Sequence, residues 1–298
     1  KNKSASFTKL TTSFFLWFDN FLLTKGQAFS IVSAPNFYYY VDERIQGNYV
    51  GVGTTEPYGV YGSAYKQWVN DSSVTSDVPN GVYIDGDFSG RANGLVLDFD
   101  NGRVLTSGNT LGIGTTATMV GTNVPVKDFN LYMTNDTEED LIVENRYVSN
   151  SVLPGAPSNQ PIAPYDDVIP ACFLSVSDAE NKPFAFGGMQ DTVVHAKAVV
   201  LTNDTFQLDG VLSIFTDSVN EVFSPIPMSG YPTTELGDLK NDYYNYTGLA
   251  NEYAGETKFF IDKVRTSKLT DRVRKSLAND MYVGFIDFDI QQHRYRFS

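Results

Sequence analysis

Between Val193 and Phe223 an apolar run, VVHAKAVVLT, gives way at Asn203-Asp204 to TFQLDGVLSIFTDSVNEVF. The first run reads as a buried strand. In the second, Leu208, Val211, Leu212, Phe215, Val219 and Val222 recur at the i, i+3, i+4, i+7 spacing of an amphipathic helix. Asn203 or Asp204 offers a side-chain oxygen to the free N–H groups of the first turn. Pro225 and Pro227 are expected to end the helix, because proline lacks the N–H that a continuing helix needs. A buried strand feeding straight into a long one-sided helix demands a sheet with a helical layer on it.

A second helix is predicted over residues 4–24, where Phe7, Leu10, Phe14, Phe15, Phe18 and Leu22 keep helical spacing. Lys9, Thr11, Thr12, Ser13 and Asp19 interrupt the apolar run, and no small-residue cleavage site follows, so a signal peptide is not expected. The stretch is too short and too polar for a membrane span, and its polar face is not basic enough for a membrane-surface helix. We read a docked amphipathic helix ended at Lys25-Gly26, with Gly26 in the left-handed cap.

From Gln27 to Tyr147 the texture changes to short strand-like runs, among them FSIVSA, NFYYYVDE, GVYIDGDF, GLVLDFD, GRVLTS and DFNLYMTN. Turn clusters at Pro79-Asn80-Gly81, Ala92-Asn93-Gly94 and Asp100-Asn101-Gly102 separate several of them. Asn-Gly and Asp-Gly pairs tolerate positive φ and favour tight hairpins. Strand and turn alternating about every ten residues predict an antiparallel sandwich or barrel-like module. Residues 148–167, with Pro154, Pro157, Pro161 and Pro164, read as a linker. VIPACFLSV, PFAFGGMQDT, KFFIDKVRT and MYVGFIDFDIQQHRYRF are further strands, with TDRVRKSLAND a helical turn. In the last strand Ile286, Phe288 and Ile290 share one face, and Asp287 and Asp289 the other.

The expected fold class is therefore α+β, an antiparallel-sheet core covered by helices, with a large inserted β-sandwich-like module. The expected parts are an N-terminal core helix at 1–26, the inserted β-rich module at 27–147 and the linker at 148–167. An α+β core at 168–236 and a C-terminal extension at 237–298 complete the chain.

With 21 Phe and 18 Tyr and only 19% charged residues, the 298-residue chain has the composition of a folded, β-rich protein rather than a disordered one. The formal charge of −13 argues against general nucleic-acid binding, which needs clustered cations on phosphates. A lone cysteine, Cys172, cannot form an internal disulfide and reads as a small buried hydrophobe.

Two histidines, His195 and His293, do not make a zinc set with one cysteine; His195, within an apolar strand, is expected to satisfy a local hydrogen bond. Neither a nucleophile elbow nor a Walker-type or dinucleotide-binding glycine loop occurs. The pairs Asp85/Asp87, Asp98/Asp100 and Asp287/Asp289 each set two carboxylates on one side of a strand, where calcium or a sugar could be held. Solvated strand faces are the simpler reading. Four Asn-x-Ser/Thr triplets, at Asn70, Asn135, Asn203 and Asn245, are chance-level matches without an export signal. No catalytic residue, cofactor or metal is therefore expected, and the chain is read as a non-enzyme.

Charge is unevenly spread. From Gly237 onward ten Lys and Arg face nine Asp and Glu, whereas the preceding residues hold 12 against 26. Lys263, Arg265, Lys268, Arg272, Arg274 and Lys275 form a basic patch in that tail. It reads either as a solvated face or as a docking surface for an acidic neighbour, including the acidic body of another copy.

An N-terminal helix comes first. Strands ending in PFAFGGMQDT follow, and then VVHAKAVVLTNDTFQLDGVLSIFTDSVNEVF runs into a long helix; this order resembles that of tail-terminator and other neck proteins of tailed bacteriophages. The resemblance covers residues 4–25 and 168–223. It makes the module at 27–147 an insertion and the chain after Pro225 an extension. It implies a structural virion subunit, assembled in the host cytoplasm, that closes into a ring, a hexamer, in the head-to-tail connection. Its partners would be copies of itself and other neck, portal-adaptor or tail-tube proteins. Genome DNA would pass through an acidic lumen without specific binding, and no membrane would be involved. The alternative is a receptor- or glycan-binding fibre or baseplate protein using aromatics such as Tyr38, Tyr39, Tyr58 and Tyr61.

Overall fold

The computed structural model of the chain describes residues 2–39, 59–84, 86–106, 119–144, 147–149, 166–183, 189–269 and 281–295. It is mixed α/β, with strands predominating. Helix α1 (Asn2–Lys25) is followed by β1 (Phe29–Val32) and β2 (Asn36–Tyr39). Then come β3 (Gly59–Gly62), β4 (Gly81–Ile84), β5 (Asp87–Gly90), β6 (Leu95–Asp98), β7 (Arg103–Thr106) and β8 (Met119–Gly121). The next strands are β9 (Val124–Lys127), β10 (Asn130–Met133), β11 (Val148–Ser149), β12 (Val168–Ile169), β13 (Ala171–Pro183) and β14 (Met189–Thr202). Helix α2 (Thr205–Thr216), β15 (Val222–Phe223), helix α3 (Tyr246–Glu252), β16 (Phe259–Lys268) and β17 (Tyr282–Tyr295) complete the described chain.

The main sheet has six strands in the order β10-β13-β14-β17-β16-β15, antiparallel except for β10 beside β13. Leu131 of β10, from within 27–147, is registered with Cys172. Alternation along the long strands splits the sheet into two faces. Cys172, Leu174, Ala198, Val200, Ile286, Phe288 and Ile290 join the apolar residues of α1 and α2 in one core, and Cys172 is fully buried. Phe173, Val199, Leu201 and Val283 on the other face are covered by Leu141 and Ile142 from a helical turn at Asp140–Glu144.

Helix α2 begins as its sequence dictates. Asp204 is the N-cap, and its side chain accepts from the Phe206 N–H. Leu208, Val211, Leu212 and Phe215 are buried against the sheet. The helix ends at Thr216, well short of Pro225, which corrects the expected boundary. Ser218 Oγ donates to the Phe215 carbonyl at 2.7 Å, and Asn220 turns left-handed at φ 72°. Polar residues that bond back to the chain thus end the helix before any proline is reached. Val219 and Val222, expected on the apolar stripe, are instead 39% and 48% exposed.

Helix α1 is buried more completely than a surface-docked helix. Leu10, Phe14, Trp17, Phe18, Phe21, Leu22 and Leu23 are each at most 7% exposed. Phe18 stacks on Phe215 at 4.0 Å between centroids, and Phe14 meets Phe288 edge-on at 5.2 Å. The polar residues that break its apolar run have partners. Ser13 Oγ accepts from the Ile226 N–H at 2.7 Å, and Asn20 Nδ2 donates to Asp71 at 2.9 Å. Gly26 follows the helix, but the left-handed residue is Gln27, at φ 48°. Gly26 is required by space: a Cβ there would lie 2.6 Å from the Leu22 carbonyl and 2.8 Å from Ile214 Cδ1.

Residues 27–147 supply a curled seven-stranded sheet, β5-β4-β8-β2-β3-β7-β6, with antiparallel pairings, and the ribbon β1-β9. The Asp100-Asn101-Gly102 turn joins the β6–β7 hairpin, with Gly102 at φ 60°. Ala92-Asn93-Gly94 is not a hairpin: β5 and β6, which it joins, lie on opposite edges of the sheet. Phe37, Trp68, Phe99 and Val126 continue the hydrophobic cluster that holds α1 and α2. Most of the stretch 148–167 lies outside the described residues, although Val148-Ser149 pairs with Val168-Ile169. No helix among the described residues is long and apolar enough to cross a membrane.

Candidate functional site

The sequence points to two places where charge is concentrated, the tail patch and the Asp-x-Asp pairs, and the register of β14, β16 and β17 brings Asp287, Asp289, Lys263 and Arg265 onto one sheet face. His195 is opposite Asp289, Lys197 opposite Asp287, and Arg265 also opposite Asp287. Asp289 receives His195 Nδ1 at 2.7 Å on one oxygen and Arg265 at 3.0 Å on the other. Lys197 pairs with Glu138 and lies 3.6 Å from Asp287. Farther along, Asp191 of β14 pairs with His293 of β17. Both histidines of the chain are therefore engaged by aspartates across the β14–β17 ladder. His195 makes the local hydrogen bond expected of it, from a half-exposed position rather than from the core.

The described part of the basic patch divides between the two sheet faces, with Lys263 and Arg265 beside this cluster and Lys268 on the α2 side. Lys263 lies 3.7 Å from Asp262, Arg265 holds Asp289, and Lys268 pairs with Asp209 of α2. Their side chains are 62%, 60% and 47% exposed. Each cation has a carboxylate partner in its own chain, so a neighbour would meet ion pairs rather than bare positive charge. Arg272, Arg274 and Lys275 lie outside the described residues.

The other Asp pairs differ. Asp85 lies outside the described residues, and Asp87 is exposed. Asp98, expected on a solvated face, is fully buried: Arg103 Nε donates to it at 2.6 Å, and Asn101 donates from both its backbone and its side chain. Asp289 is also largely covered, at 11% side-chain exposure. The alternation along β6 was legible; the Arg103 across the hairpin that allows Asp98 inside was the missed signal. Among the described residues no group of three or more His, Cys, Asp or Glu is placed to hold a metal ion.

One acid–base cluster has no counterpart in the sequence reading. Beside Asp98, a cavity of about 400 Å³ is lined by Phe15, Lys66, Asp100, Tyr132, Asp167 and Tyr231, among others. Lys66 is only 2% exposed. Burial lowers its pKa to about 8, against the pull of Asp98. Burial, with Asp98 and Asp19 nearby, pushes the Asp100 carboxyl up to about 7, and Lys127 opposes this. Burial likewise raises Asp167. Burial thus brings two groups of one cavity, Lys66 and Asp100, toward neutral pH from opposite sides, and no metal set accompanies them among the described residues.

Of the aromatics expected to offer a glycan surface, Tyr61 is 1% exposed and part of the core, which removes it. Tyr58 and the side chains of Tyr38 and Tyr39 lie outside what is described. Comparison with protein-family models gives no match for this chain, and comparison with curated proteins gives none either.

Proposed function

We propose that the chain is a structural, non-catalytic subunit of a tailed-phage particle that closes into a ring in the head-to-tail connection. The observation that carries this reading is the reach of the main sheet. Strands β13 and β14 run for 13 and 14 residues, and from Ala179 to Lys182 the residues of β13 are exposed although paired. A paired ribbon that extends beyond its own core leaves ladder edges and side chains for a neighbouring copy. On this reading 168–236 is an antiparallel α+β core, 27–147 an inserted sandwich-like module, and 237–298 an extension that bridges subunits. The sheet face bearing Lys263 and Arg265 meets the acidic body of the next copy, and acidic groups toward the lumen repel DNA phosphates.

The test is direct imaging of the purified chain by negative-stain electron microscopy. Closed rings of uniform size with a central opening are expected. Discrete compact monomers under all conditions would count against the proposal.

A further inference from the structure

A cleft of about 440 Å³ lies between the turn at Met228–Gly230 and helix α3. Its walls include Tyr231, Tyr243 and Tyr253, with Tyr244 buried behind them; Tyr231 and Tyr253 also pack on the core. Lys240, Asn241 and Glu252 stand around the same opening. Among the described residues, these three side chains and the hydroxyls of Tyr243 and Tyr253 make no hydrogen bond or ion pair. Tyr243 is 64% exposed and presents its ring at the opening of the cleft.

The loop that presents these groups is fixed. Asp242 holds a left-handed backbone at φ 54°, a conformation that costs free energy for a residue other than glycine. Behind it, Ser72 N–H and Oγ both donate to the Tyr244 carbonyl, at 2.9 and 2.7 Å, and the Tyr246 N–H donates to Asp71 at 3.0 Å. Arg91 of the seven-stranded module binds Asp238 at 2.8 Å and lies 3.6 Å from Asp242. The strained turn is thus anchored from two sides, with Tyr243 held outward.

We propose that this cleft is a saccharide-binding site. Flat aromatic faces take the apolar face of a pyranose ring, and an amide, an ammonium, a carboxylate and phenols at the rim answer its ring of hydroxyls. Because Lys240 and Glu252 bring opposite charges, the cleft favours a neutral sugar over a phosphate or a polycation. A purely apolar partner would leave three polar heads without partners at the contact. The inference rests on this cleft alone and stands whether or not the chain forms rings.

The test is saturation-transfer NMR on the full chain. The probes are glucose, galactose, N-acetylglucosamine, lactose, maltotriose and chitotriose, each at millimolar concentration. At least one sugar is expected to receive transfer from the wild-type protein. Tyr243→Ala and Asn241→Ala should each cut that signal at least tenfold while keeping the wild-type melting temperature, since both side chains are exposed. Tyr83→Ala, at an exposed aromatic of the seven-stranded module, should leave the signal unchanged. Absence of transfer to every sugar overturns the proposal. So does transfer that survives both cleft variants, or that falls equally in Tyr83→Ala.

Discussion

Lys127 Nζ donates to both carboxylate oxygens of Asp19, at 2.7 and 2.8 Å, and joins α1 to β9 across a buried boundary. The two side chains are only 9% and 13% exposed. Removing one partner leaves the other charge buried and alone, so Lys127→Met should cost about 3–5 kcal/mol. Replacing both, as Asp19→Leu with Lys127→Met, should recover most of that loss, because an apolar pair of similar volume needs no desolvated charge. Urea unfolding of the two single variants and the double variant checks this. Additive losses would show that the pair is not coupled.

Two groups lining one cavity, Lys66 and Asp100, give stability an opposing dependence on pH. Asp100 titrates near 7 in the folded chain against an ordinary 3.8. The folded state therefore keeps a proton that the unfolded state releases, and the stability Asp100 confers is lost as pH rises from about 4 through 7. Lys66 is lowered from 10.5 to about 8, so its stability contribution is present above about 10.5 and lost as pH falls through 8. Asp100→Asn should remove the first slope and gain on the wild type by on the order of 1–3 kcal/mol between pH 4 and pH 8. Lys66→Met should flatten the second slope. Denaturant melts at several pH values test both, and curves for wild type and Asp100→Asn that stay parallel would contradict the assignment.

The boundary of α2 has its own signature. Leu212 is buried, and Leu212→Ala should cost about 2–5 kcal/mol. Val219 lies past the helix end and is partly exposed, so Val219→Ala should cost less than about 0.5 kcal/mol. On the facing strand, a Cβ at Gly284 would sit 2.7 Å from Leu208 Cδ1 and 3.2 Å from Leu212 Cδ1. Gly284→Ala should therefore cost about 1–3 kcal/mol, and less in a Leu208→Ala background. Thermal melts of the set decide it. A loss in Val219→Ala equal to that in Leu212→Ala would mean that the stripe continues past Thr216.

How much of this could be read from sequence depended on the distance between cause and effect. The start of α2 was legible because Asp204 caps its own neighbour, and the β6–β7 hairpin because Gly102 lies within the turn it permits. The helix end was not, because Ser218 and Asn220 compete with a periodicity that formally continues to Val222. Nor was the depth of α1. Its polar residues looked like a solvated side, but Ser13 and Asp19 are answered by Ile226 and Lys127, far along the chain. The same distance hid the parallel pairing of β10 with β13 and the Lys66–Asp100 cavity, whereas the burial of Asp98 rests on nearby Asn101 and Arg103, whose pairing with it across the turn went unread. Alternation correctly placed Asp287 and Asp289 on one face, but not the His195, Lys197 and Arg265 that meet them from adjacent strands.

Self-association is the claim on which the functional reading depends. Contacts between ion-paired faces are screened by salt, since the Debye length falls from about 10 Å at 0.1 M to about 3 Å at 1 M. Single exposed pairs contribute only about 0–1 kcal/mol, so assembly must come from several pairs repeated around a ring. The decisive measurement is molar mass by light scattering, at low and high salt. It compares the wild-type chain with a variant carrying Arg265, Arg272, Arg274 and Lys275 changed to Glu. The account predicts a mass several times that of one chain for the wild type at low salt, reduced at high salt and in the variant. A single-chain mass for both proteins at both salts would contradict it.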